Sequence, residues 1–103
     1  MGDSRRCLTE EVRRAEQALR VELAAARAEA ADTADLAQVQ RIWMRYRDRQ
    51  CRAAGAQFEG GTLQPVAILR CIRDVTCARV SDLWEAYLSD TERPRPPCPG
   101  QGS

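Results

Sequence analysis

The chain has 103 residues, 44% of them hydrophobic and 5% aromatic, with a formal net charge of +1. That length is one domain's worth and leaves no room for a second core, while the near-neutral charge supplies no global field toward nucleic acid or a membrane. Histidine is absent, which removes the commonest general base and the commonest neutral metal ligand, and no run approaches the ~20 apolar residues that span a bilayer.

Residues 8–31 carry apolar side chains at helical spacing: Leu8, Val12, Ala15, Leu19, Leu23 (Glu22 by strict count), Ala26 and Ala30. No glycine or proline interrupts them, and Glu10–Arg14 and Glu16–Arg20 stand at the i,i+4 offset that supports a helix. The stretch Asp32-Thr33-Ala34-Asp35 then offers turn chemistry and N-cap oxygens. A second helix is expected over 36–54, with Leu36, Val39, Trp43, Tyr46 and Gln50 as its inward stripe and Gly55 as its stop. The glycine pair Gly60-Gly61 permits a tight reversal, after which Thr62 caps a third helix with Pro65 in its first turn. Leu69, Ile72, Val75, Val80, Leu83, Trp84, Tyr87 and Leu88 carry that helix to about residue 89. The Pro-rich segment that follows cannot be helical and reads as an extended, mobile tail. The expected architecture is all-α: a three-helix antiparallel bundle over 7–90, then a flexible tail over 91–103.

Much of the apolar content is alanine, so the core must be thin and rest on a few large residues. Thin cores favour covalent reinforcement. Cys7, Cys51, Cys71, Cys77 and Cys98 contain no Cys-x-x-Cys pair and are spaced too widely for a zinc knuckle. The disulfide reading is therefore preferred, and it places the chain outside the reducing cytoplasm. Residues 1–7 are polar, so an export signal is expected to lie outside this chain. Antiparallel helices 2 and 3 bring Cys51 toward Cys71 across the glycine loop. Cys77–Cys98 is open to a tail that folds back along helix 3, which leaves Cys7 over.

The segment Ala37-Gln38-Val39-Gln40-Arg41-Ile42-Trp43-Met44-Arg45-Tyr46-Arg47-Asp48-Arg49-Gln50-Cys51 resembles a signature of the LprI-type lysozyme-inhibitor family, a group of secreted bacterial domains mostly of unknown function. Gly60-Gly61, Pro65, Cys71, Thr76, Arg79 and Leu83 follow in the order and spacing of that family, and Cys7 with the stretch 15–19 is similar to its first helix. Where this family commonly has aspartate and asparagine in helix 1, the chain has Glu16 and Arg20, and Cys77 and Cys98 are additional. The resemblance implies a small helical extracytoplasmic domain that binds protein and inhibits lysozyme. The alternative is an envelope-associated interaction module with no enzyme target.

The candidate binding residues are Trp43, Tyr46, Arg47, Asp48, Phe58, Gly60 and Gly61; the structural set is Cys51, Cys71, Thr76 and Arg79. Trp43 and Tyr46 share a helix face and either fill the core or anchor a partner. Asp48 is expected to accept hydrogen bonds from Arg73 or Arg79, and Phe58 either covers the end of the bundle or inserts into a cleft. Arg41, Arg45, Arg49 and Arg52 form a stripe that is either solvated or salt-bridged to helix 1. A nucleic-acid patch is disfavoured because the chain is neutral overall and poor in aromatics. For a basic target such as lysozyme, Glu10, Glu11, Glu16, Glu22, Asp32 and Asp35 are the better complements. Neither cofactor nor metal is expected. Catalysis is disfavoured as well: no phosphate-binding glycine loop or nucleophile elbow is present, and Glu10 and Glu11, adjacent on a helix, point apart.

Overall fold

The computed structural model describes residues 2–100, with side chains from residue 5 onward. Three helices follow in order: α1 (Gly2–Glu29), α2 (Thr33–Ala56) and α3 (Gln64–Leu83); the last widens into a single π-type turn, Trp84–Leu88. There is no strand among the described residues. The molecule measures 46 × 26 × 16 Å; α1 alone accounts for the long axis, since 28 residues rising 1.5 Å each span about 42 Å.

The α1–α2 reversal is capped as its residues suggest. Asp32 is extended and its carboxylate accepts the Asp35 backbone N–H at 2.9 Å. Helix α2 overruns its expected bounds at both ends, whereas α1 begins earlier than expected and stops at Glu29, two residues short of the expected 31, where the chain turns toward the Asp32 cap.

The helices are held together by small and medium side chains. Ala15, Leu19 and Ala26 of α1, Leu36 of α2, and Cys77, Val80, Leu83 and Leu88 on and after α3 form one buried cluster, joined by Cys98 from the C-terminal segment. Ala15 and Ala26 are fully buried; their short side chains let the backbones approach closely. Trp43, Trp84 and Tyr87 pack against the cluster without being enclosed by it. Helix α3 packs on both α1 and α2 and is the element the other two share.

Gly55 was expected to end α2. The helix instead continues to Ala56, and Gly55 is buried against α3. A Cβ there would lie 2.5 Å from Ile68 Cγ1 and 2.8 Å from Cδ1. The glycine is required for close approach, not for a left-handed cap. Gly55→Ala should therefore cost about 1–3 kcal/mol through overpacking, read from the urea midpoint. In an Ile68→Ala background the same change should cost much less, the non-additivity being the signature of direct contact.

The reversal between α2 and α3 is a chain of tight turns, with Phe58 N–H donating to Gly55 O, Gly61 N–H to Phe58 O and Gln64 N–H to Gly61 O. Gly60 supplies the left-handed residue, at φ +80°. Thr62 does not cap α3: Leu63 occupies the cap position and offers no side-chain acceptor. Pro65, in the first turn, lacks an N–H and so leaves one fewer donor to satisfy.

Two disulfides brace the bundle. Cys51 is joined to Cys71 (Cα–Cα 5.4 Å) and Cys77 to Cys98 (Cα–Cα 5.7 Å), leaving Cys7 free and exposed. Alkylation of the unfolded, unreduced chain should add one label, on Cys7; three labels by intact mass would contradict the second bridge.

The segment expected to be a mobile tail is extended, as its prolines require, but folds back onto the bundle. The Trp84 indole N–H donates to Arg93 O at 2.9 Å, and Arg95 lies over the Trp84 ring at 4.6 Å and reaches Glu85 and Ser81. Arg93 donates through Nε and Nη2 to Glu22 Oε1 at 3.1 and 2.9 Å. Cys98 then enters the core.

Candidate functional site

The inward face of α2 is rotated by one residue from the apolar stripe in the sequence. Leu36, Gln40, Arg47, Cys51 and Gly55 are buried, whereas Val39 and Tyr46 are 43% and 53% exposed. Glutamine and arginine displace valine and tyrosine from the interior because the neighbouring helices offer them partners. Gln40 Oε1 accepts from Arg79 Nε at 3.0 Å; Arg47 Nη1 reaches Glu16 Oε2 on α1 at 3.3 Å and Thr76 Oγ1 on α3 at 3.5 Å. The Arg47 guanidinium also stands 5.4 Å from the centre of the Trp43 ring, a cation–π distance. Arg47, at 9% exposure, is thus the residue through which all three helices meet.

Asp48 does not take an arginine from another helix. Its carboxylate accepts from Arg47 at 3.3 Å, while Arg73 pairs with Asp74 at 2.9 Å and Glu11 at 2.7 Å, and Arg79 is occupied by Gln40. Hydrogen bonds from Arg73 to Asp74 and to Glu11 hold its guanidinium above the usual range. Burial pushes Arg79 the other way, below its usual value, and its Nη2 is enclosed without a protein acceptor.

The candidate residues therefore separate into two groups. Trp43, Arg47, Thr76 and Arg79 lie in or beside the interhelical seam; Tyr46, Asp48, Phe58, Gly60 and Gly61 are exposed. At one end of the molecule Phe58 is 42% and Leu63 58% exposed. With Ala54, Val66, Ala67 and Arg70 they line an open groove of about 330 Å³ over Cys71. The Cys51–Cys71 bridge sits directly behind this apex, so its walls are fixed covalently to both helices. Phe58 contributes to the groove wall and only partly covers the bundle's end.

On α1 the acidic residues are largely used within the molecule. Glu10 pairs with Arg13, whose hydrogen bond holds the carboxyl below its ordinary range. Glu11 pairs with Arg73 and Glu16 with Arg47. Glu22 is fully buried and takes Arg93 from the C-terminal segment. Sequence reasoning missed the Glu22–Arg93 and Glu11–Arg73 pairs. The strict helical count, which places position 22 rather than 23 on the inward face, was the available signal for the first; the second, 62 residues apart, left none.

The sequence profile of the lysozyme inhibitor LprI family matches residues 1–83, which takes in all three helices and ends before the π-type turn. An uncharacterized protein of Rhizobium meliloti (strain 1021) is 37% identical over 54 residues, 52% of this chain and 39% of that protein. The match thus spans well under half of that relative's length. No solved structure matches the chain. With its signature segment on α2, its glycine turn and its Cys51–Cys71 bridge in place, the chain belongs to the lysozyme inhibitor LprI family.

Proposed function

We propose that this chain is an extracytoplasmic protein-binding domain that inhibits a lysozyme-type muramidase by placing the Phe58–Leu63 apex in its substrate cleft. The observation that carries the reading is the apex itself, two exposed large apolar side chains on a tight turn, with a disulfide directly behind them. Preorganisation of this kind lowers the entropic cost of ordering a loop on binding, and an exposed apolar pair on a turn offers anchors for a partner's cleft. Gly60, in the left-handed region, shapes the turn. Two disulfides in so small a chain support an oxidising compartment; no helix among the described residues is long and apolar enough to cross a membrane.

The purified, oxidised protein should inhibit muramidase hydrolysis of peptidoglycan at micromolar concentration. Phe58→Ala with Leu63→Ala should raise the inhibition constant by about tenfold or more, as expected when two anchors are removed from an interface, with little change in the unfolding midpoint. Absence of inhibition by the unmodified protein at that concentration would overturn the reading.

A further inference from the structure

We propose that the outer face of α2 is an electropositive docking site for an acidic protein surface. This goes beyond the cleft-filling apex and does not depend on it. The face is built from Ile42, Arg45, Tyr46, Arg49 and Arg52, all exposed, which helical geometry at 100° per residue gathers within about a third of the circumference, opposite the buried Gln40, Arg47 and Cys51.

Arg13, Arg47, Arg73, Arg93 and Arg95 are all held in ion pairs. The side chains of Arg5, Arg6, Arg14, Arg27 and Arg70 are as free as those of this row; what sets the row apart is its clustering on one helix face. Among the described residues the side chains of Arg45, Arg49 and Arg52 have no ion pair, hydrogen bond or ring contact; of the two readings of the stripe, solvated or salt-bridged to helix 1, these three follow the first. Asp48, the one carboxylate beside them in the same shallow trough, is drawn to Arg47 and does not neutralise the row. Three free guanidinium groups over about two turns therefore face solvent with Tyr46 and Ile42 among them, at 53% and 54% exposure.

Charge complementarity selects the occupant. Guanidinium groups pair bidentately with carboxylates, and a tyrosine set among arginines is the composition of protein interface centres. An anionic bilayer is a poorer fit, since stable insertion needs a broad apolar stripe and this face has two large apolar side chains between its arginines. A nucleic-acid duplex is poorer still, because the rest of the chain cancels the local charge.

The test uses the intact oxidised chain and fluorescently labelled poly-L-glutamate as the acidic polypeptide, with folding of each variant checked by circular dichroism. Binding should weaken with salt, and Arg45→Glu/Arg49→Glu/Arg52→Glu should reduce affinity by at least about tenfold. The control Arg14→Glu/Arg20→Glu/Arg27→Glu carries the same change in net charge on α1 and should change affinity by less than about twofold. Tyr46→Ala should weaken binding in a way that salt does not mimic. Equal loss in both triple variants would reduce the effect to net charge and overturn the proposal. So would no binding to the polypeptide, or tighter binding to anionic phospholipid vesicles or duplex DNA than to the polypeptide.

Discussion

Replacing Arg93 by methionine should destabilise the protein by about 3–5 kcal/mol, the range for removing one partner of a buried ion pair. The asymmetry of the pair sets that size. Glu22 is wholly inaccessible, whereas the Arg93 side chain is 35% exposed, so loss of the arginine strands a carboxylate in the core. Its Oε1 would lose both guanidinium contacts, and its Oε2 has no protein donor to begin with. The hydrogen bond to Glu22 also holds the Arg93 guanidinium above its usual range, consistent with a pair that favours charge on the arginine. Removing both groups should be far milder than removing one: Glu22→Leu/Arg93→Met should recover most of the stability, since apolar replacement of a buried pair is often neutral or better. Urea denaturation of the two variants decides it. A loss below about 1 kcal/mol for Arg93→Met would mean that water already solvates Glu22.

Deleting the Cys77–Cys98 bridge as the double alanine variant should cost about 3 kcal/mol from loop closure alone, for a separation of 21 residues. It should also loosen residues 91–100 on the bundle, because among the described residues Cys98 is the one part of that segment inside the core cluster. The loss should then be less than additive with Arg93→Met, because both changes loosen the same segment. The Cys51–Cys71 bridge closes a loop of nearly equal length, 20 residues, yet its removal as the double alanine variant should leave the Arg93 contacts intact and loosen the apex instead. Trp84 fluorescence separates the cases: its indole N–H is bonded to Arg93 O, so it should respond to loss of the first bridge and not of the second. An equal response to both would show that the C-terminal segment is not held by Cys98.

Three features were legible in the sequence because they depend on neighbours close along the chain. Helices α1 and α2 follow from uninterrupted helical periodicity and the Asp32 cap. The reversal follows from Gly60, and the Cys51–Cys71 pairing from antiparallel geometry across a short loop. The signature segment on α2 pointed to the family whose profile covers residues 1–83.

Which α2 residues face inward was decided by α1 and α3. Periodicity allows Leu36–Val39–Trp43–Tyr46 and Leu36–Gln40–Trp43–Arg47 almost equally, and apolarity favours the first. The second wins because Glu16, Thr76 and Arg79 give its polar members partners. That turns Tyr46 and the arginines outward, where they are available to a partner. Gly55 is likewise a plausible helix stop locally but a contact glycine once Ile68 is placed against it. The C-terminal segment has no local reason to be ordered; Glu22, Trp84 and Cys77 supply one from across the fold. By itself the sequence determined the helices, their reversals and the pairing of Cys51 with Cys71, since backbone propensity and short loops are local properties. Only the tertiary structure decided which polar side chains could be buried and which aromatic ones were left outside, because burial of charge depends on a partner that lies up to 71 residues away.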